Sequence, residues 1–409
     1  MNTKPRGRQF FFNPGPTNIP DRVLSAMHRP VFDFLSDEFL EIQDRVRAGL
    51  KRVLKTKQHV LVYGANGHGA WEAAIVNVFS AGDTVLVIET GRFSKSWGQL
   101  ATSAGLKVET LAADWRHGPT PEALQARLAK DTTHTIKGVL VVHNETSTGM
   151  AHPIAAYRKA MDAAKHPALY LVDTISSLAS IDFRMDEWGI DLAVGGSQKG
   201  LMMVAGLSFT GISEKAMEAH KKATLYRGYW DWQEMLSMKP QRFMGTSPVH
   251  LVCGLDESIK ILEEEGLDAV FARHARLAKA VRACVTHWGG GATADVQVDG
   301  DGFKGEVGAM TLLSADPSRL SDSVTAVLVP KGASVDKLRK AALNRYNLSL
   351  GGGLDVLSGK AFRIGHMGDL NEPMLLGALA TCELSLRAAE IPHTPGGVTA
   401  ALDQLADAA

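Results

Sequence analysis

Five short apolar runs recur through the first two thirds of the chain, at residues 60–63, 84–88, 138–142, 169–172 and 192–194. They are rich in Val and Leu and show no polar alternation, the pattern of strands covered on both faces. Between them lie amphipathic stretches of helical spacing, such as 121–129 and 154–164. Alternating strand and helix predicts an α/β fold with a parallel sheet, in which ligands bind beyond the carboxyl ends of the strands. The pattern changes near residue 256. Residues 255–265 read as a helix closed by Gly266, and a longer helix follows with Val270, Leu277, Val281 and Val285 on one face. Residues 290–322 are glycine-rich and without clear period. Beyond them 324–329 and 361–364 read as strands, and helices are expected after Ser334 and Asn371 caps. The expected organisation is a large, mainly parallel α/β domain with an N-terminal arm over 1–265, and a smaller α+β domain over 266–409. Residues 393–409 are rich in small side chains and read as a loosely packed tail. Asp299-Gly300-Asp301-Gly302 resembles the start of a calcium loop. Phe303 stands where an oxygen ligand belongs, so a turn is expected.

Composition narrows the function. Over 409 residues, 44 Lys and Arg balance 44 Asp and Glu. A chain with no net charge carries no electrostatic footprint for nucleic acid or an anionic membrane. No apolar run reaches spanning length, and no apolar signal core follows the basic residues 1–8. Cys253, Cys284 and Cys382 are far apart and lie in helical patterns, which argues against a disulfide framework or a cysteine-rich zinc site. A reduced, cytoplasmic protein is expected.

The candidate chemistry follows the strands. In Asp191-Leu-Ala-Val-Gly-Gly-Ser-Gln-Lys199 an apolar run ends in small residues and then a lysine. A desolvated lysine is a nucleophile that forms Schiff bases; a lone loop lysine is more often just solvated. Asp173 ends another run. A carboxylate there would keep a pyridinium nitrogen protonated, the state that makes pyridoxal phosphate an electron sink. By itself Asp173 would read as a helix cap. Gly64-Ala-Asn66-Gly67-His68-Gly69 leads from a strand into a helix, where unpaired N–H groups and the dipole favour phosphate. It is neither a P-loop nor a good dinucleotide fingerprint. Thr146, in His143-Asn-Glu-Thr-Ser-Thr-Gly149, is placed to reach a ligand hydroxyl, and Phe93 to stack on a planar ring. Each would ordinarily be turn or core. The weight lies in their order: phosphate turn, ring stacker, hydroxyl donor, aspartate, lysine, each just after a strand.

These residues resemble the class V aminotransferases, pyridoxal 5'-phosphate (PLP) enzymes of fold type I, and most closely their serine–glyoxylate and alanine–glyoxylate branch. The resemblance runs from Asn13-Pro14-Gly15-Pro16 through Gly196-Ser197-Gln198-Lys199-Gly200 to Phe362-Arg363-Ile364-Gly365-His366, nearly the whole chain. It implies that Lys199 carries the cofactor and shuttles the substrate proton, and that Asp173 holds the pyridinium. It implies that Phe93 stacks on the ring, that Ile175 belongs to the cofactor site and that Thr146 contacts the ring hydroxyl. Asn66, Gly67, His68 and Gln198 would bind the phosphate region. Thr246 would reach the phosphate of a neighbouring subunit, implying a homodimer with shared sites. Arg363 would clamp the substrate carboxylate with its planar fork. The chain departs from the branch where it has Asp33-Phe34-Leu35 in place of Asp-His-Arg, and Phe243 in place of a Tyr. The expected reaction moves an amino group from a small amino acid, serine first, to the 2-oxo acid glyoxylate, giving glycine. Alanine and aspartate are alternative donors, with Arg242 as a second carboxylate partner for aspartate. A PLP lyase such as a cysteine desulfurase would need a mobile cysteine near the site. A nicotinamide-dependent dehydrogenase would need the missing dinucleotide fingerprint.

Overall fold

The computed structural model describes residues 6–407, so the first five residues of the basic segment 1–8 and the last two of 393–409 lie outside the described residues. A seven-stranded sheet has the spatial order His59–Tyr63, Ser208–Ile212, Leu192–Gly196, Leu169–Asp173, Ile136–Val142, Thr84–Ile88, Lys107–Leu111. Ser208–Ile212 runs antiparallel to both neighbours; all other neighbouring pairs are parallel. All five expected runs are strands of this sheet. Successive residues feed opposite cores, which explains why the runs are apolar throughout. Val60, Val62, Leu86, Ile88, Val139 and Val141 pack with the helices Asp37–Leu54 and Val249–Glu265. Leu61, Tyr63, Val85, Val87 and Leu140 pack with Gly67–Val78 and Arg92–Ser103.

A second sheet has the order Phe10–Phe12, Leu348–Gly352, Ala361–Gly365, Val324–Leu328, Thr311–Leu312. Phe10–Phe12 of the N-terminal arm lies parallel to Leu348–Gly352, and Phe12 is buried in a core shared with Leu267–Trp288 and Glu372–Ala388. The glycine-rich stretch contains a hairpin, Val296–Val298 with Phe303–Gly305. Its tip is a turn, as expected: Asp299 Oδ1 accepts from the backbone N–H groups of Asp301 and Gly302, both at 3.0 Å. Among the described residues no acidic, histidine or cysteine group is arranged to hold a metal ion.

The C-terminal stretch is not a loose tail. Gly397–Ala406 is a helix against Leu267–Trp288, with Ala401 and Leu405 buried. Its start is pinned by the Glu383 carboxylate, which accepts from Gly396 N at 2.9 Å, Gly397 N at 3.0 Å and Trp288 Nε1 at 2.8 Å. Small side chains here serve close helix packing rather than chain freedom. No helix among the described residues is long and apolar enough to cross a membrane.

Candidate active site

At the carboxyl edge of the large sheet the loops open on a cleft of about 300 Å³. Asn66, Gly67, His68, Phe93, Thr146, Asp173, Ile175, Gln198 and Lys199 all line it, with Gly15, Pro16, Trp71, Asn144 and Ser176. The sequence separates these residues by more than a hundred positions, and parallel strand order brings them together. Three of the residues singled out in the sequence do not border it. Arg363 is buried on the strand Ala361–Gly365, where its Nη1 donates to Thr146 O at 3.1 Å and its Nε to Gly352 O at 2.8 Å. Thr246 sits on an exposed loop of its own chain. Arg242 borders a separate small pocket with Gln43, Arg47 and Phe243.

Lys199 follows the strand Leu192–Gly196, where a Cβ on Gly195 would stand 2.4 Å from the Phe209 ring of the neighbouring strand. The side chain is half-buried, its Nζ hydrogen-bonds Pro14 O, and its carbonyl accepts from Thr17 Oγ1 at 2.9 Å. Burial lowers the Lys199 pKa to about 8. The positive charge of Arg363 adds to that shift, and Asp173 partly opposes it. A neutral amine is therefore available near physiological pH for attack on a carbonyl carbon.

Asp173 is the last residue of its strand and is buried. Its Oδ2 accepts from Trp71 Nε1 at 3.0 Å and its Oδ1 from Ile175 N at 2.6 Å. Burial nevertheless raises its pKa to about 7, with Glu145 adding to the shift and both hydrogen bonds and Lys199 opposing it. A carboxylate in that state is matched by a cation such as a protonated ring nitrogen. Nearby, Asn66 caps the helix Gly67–Val78, its Oδ1 accepting from His68 N at 3.1 Å. A Cβ at Gly67 would lie 2.3 Å from Ile175 Cδ1, so any larger residue there would displace the Ile175 side chain. The His68 ring packs 4.6 Å from Trp71, and burial with the Arg92 charge lowers its pKa, so it stays neutral. The buried Asn144 Oδ1 has no protein partner. An amine, a carboxylate, an aromatic face and a capped helix start around one such cleft fit PLP.

Sequence reasoning did not single out Trp71, Asn144 and Ser176, which line the cleft, or Glu145, which lies behind it. Trp71 orients Asp173 and stacks on Trp97 at 5.7 Å. Asn144 Nδ2 donates to Ser176 Oγ at 2.9 Å and to Ser323 Oγ at 2.8 Å, and Thr146 Oγ1 donates to Ser176 Oγ at 2.8 Å. Glu145 is fully buried beside them. Trp71 carried the signal of an ordinary core residue at helical spacing. Glu145 did carry one: a carboxylate in an otherwise uncharged, strand-following segment must find donors if buried.

What converges here is the means to hold an aromatic phosphate and react through an amine, which is the chemistry of a PLP enzyme of fold type I. Comparison with known proteins carries this to a family. The model of Aminotransferase class-V matches residues 9–295, and the chain belongs to that family. It is a PLP-dependent aminotransferase. It is 42% identical to a serine–glyoxylate aminotransferase of Methylorubrum extorquens, covering 98% of this chain and 97% of that protein. It is 41% identical to an L-aspartate–glyoxylate aminotransferase of Paracoccus denitrificans, covering 95% and 94%. Among solved structures, pyridoxamine–pyruvate aminotransferase of Mesorhizobium loti superposes with a TM-score of 0.88 at 26% identity, covering all of both chains.

Proposed function

We propose that this chain transfers the amino group of L-serine to glyoxylate, giving glycine. The observation that carries the proposal is the convergence of Lys199, Asp173, Phe93 and Thr146 on one cleft. Likeness to serine–glyoxylate aminotransferases over nearly the whole chain supports the choice of donor and acceptor. When bound, PLP supplies the electron sink that makes the donor's Cα proton acidic. Lys199 would hold the cofactor, and its amine is the group placed to move that proton. Asp173 would keep the ring nitrogen protonated, Phe93 would stack on the ring with Ile175 among the groups lining the site, and Thr146 would contact the ring hydroxyl. Asn66, Gly67, His68 and Gln198 take the phosphate. In this reading residues 1–265 bind the cofactor, and 266–409 bring Arg363 to the substrate carboxylate.

We read the working protein as a cytoplasmic homodimer with shared sites. Thr246 is exposed, as a residue serving a neighbouring subunit would be, and Val31, Leu35 and Tyr226 are exposed apolar groups of the kind that subunit contacts cover. A lyase that uses a cysteine is disfavoured. Cys253, Cys284 and Cys382 are buried in helices, and burial pushes all three thiols up, away from the reactive thiolate.

The donor is tested by a half-reaction. L-serine added to the holoenzyme without acceptor is expected to bleach its visible absorption, and glyoxylate to restore it. The second reading is aspartate, favoured by the Paracoccus relative. Bleaching by aspartate but not by serine would replace the proposal with that reading. Arg363 is tested separately. R363A is expected to lower kcat/KM for donor and acceptor by about 10²-fold, mainly through KM, because a buried charged partner of the carboxylate is lost. An unchanged KM for both would remove Arg363 from substrate recognition.

A further inference from the structure

We propose that Glu145 is a positioning residue that sets the plane of Phe93 by capping a helix to which it does not belong. The helix Arg92–Ser103 begins immediately after Gly91, which has no side chain to serve its first N–H groups. The chain supplies that service from elsewhere. Glu145 Oε2 accepts from Phe93 N at 3.1 Å and Ser94 N at 3.0 Å, and Oε1 lies 3.3 Å from Phe93 N. Oε1 is held in turn by Ser147 Oγ at 2.6 Å and Ser147 N at 3.1 Å, while Ser147 Oγ accepts from Arg92 N at 2.9 Å. The first three N–H groups of the helix are thus satisfied by the loop after Ile136–Val142. A negative charge at a helix N-terminus is also favoured by the dipole. Gly91 is what permits the approach, since a Cβ there would stand 2.4 Å from both Glu145 Cγ and Ser147 Oγ.

The arrangement couples two sides of one cleft. Phe93 lies on the capped helix and Thr146 is the residue after Glu145, and both line the cleft. A fully buried carboxylate that accepts from the backbone N–H groups of Phe93, Ser94 and Ser147 and from the Ser147 hydroxyl is a rigid joint. It fixes the aromatic face relative to the hydroxyl contact, where small displacements cost much rate. The positioning role rests on Phe93 facing the cofactor; the capping does not. The two can therefore fail separately.

The test compares wild type, E145Q and S147A. Gln keeps the shape but loses the charge and turns an N–H group toward N–H donors. In E145Q the amides of Phe93 and Ser94 are expected to exchange hydrogen about tenfold faster in the apoprotein, as for loss of a cap. In the E145Q holoenzyme the visible circular dichroism of the cofactor is expected to fall by about half or more, with kcat down on the order of 10- to 100-fold and the donor KM within about twofold. S147A keeps the carboxylate and loses one of its holders. It should shift the same readouts in the same direction by less, and it carries the test if E145Q does not fold. Unchanged amide exchange would overturn the capping. Faster exchange with unaltered circular dichroism and kcat would overturn the positioning role.

Discussion

Replacing Lys199 with alanine is expected to lower kcat on the order of 10⁵-fold, the scale of removing a covalent catalytic group. No other amine is placed to substitute among the groups lining the cleft. The structure gives a reason to expect Lys199 to be the reactive lysine. Burial and the Arg363 charge bring its pKa down to about 8, so deprotonation is cheap there. Two measurements separate this from simple loss of folding. Borohydride treatment of holoenzyme followed by intact mass should fix the cofactor to wild type and leave K199A unmodified. Capture of added cofactor by the wild-type apoprotein should speed up as pH rises through about 8, where the amine loses its proton. Turnover by K199A within about tenfold of wild type would show that the amine has been assigned to the wrong residue.

How much of this was readable in advance depended on whether a residue's meaning was local. Lys199 and Asp173 were legible because each follows an apolar run that leads it to the carboxyl edge of a buried sheet. Asn66 and Gly67 were legible because a glycine turn entering a helix has one geometry that suits an anion. Trp71 was not, because its partner Asp173 Oδ2 is brought to it by strand order; Glu145 signalled only that it must find donors if buried, and strand order decides that Phe93 N is one of them. The same limit applied to elements. Lys107–Leu111, at the sheet's edge, has three polar residues in five and none fully buried, and Ser208–Ile212 is buried yet carries Ser, Thr and Gly. Neither looks like an apolar run. Phe10–Phe12 reads as a stray apolar triplet until Leu348–Gly352 is laid beside it. The helix Gly397–Ala406 was hidden by small residues that look like slack chain and are in fact what lets it pack on Leu267–Trp288.

The second large effect is expected at Asp173, where catalysis and stability should move in opposite directions. D173N removes the charge proposed to keep the ring nitrogen protonated and should lower kcat by about 10³-fold with the cofactor still bound. Asparagine also cannot reproduce both contacts, because Trp71 Nε1 and Ile175 N are both donors and the amide offers a single acceptor oxygen. The apoprotein should nonetheless lose less stability than that implies, and above neutral pH it should gain. In the folded apoprotein the Asp173 pKa is raised to about 7, against about 4 in the unfolded chain. Between those values the folded state binds the extra proton. Its contribution to stability is complete below about 4 and is lost as pH rises through about 7, by up to a few kcal/mol. D173N has no such proton, so the fall in apoprotein stability across that window should flatten in the variant. Denaturant unfolding of both apoproteins at several pH values, beside kcat, decides the matter. Parallel pH profiles would mean that Asp173 is not the strained carboxylate. A D173N enzyme near wild-type kcat would mean that another group protonates the ring. A flattened profile with a lost kcat would identify one buried charge as costly to the empty protein and necessary to the loaded one.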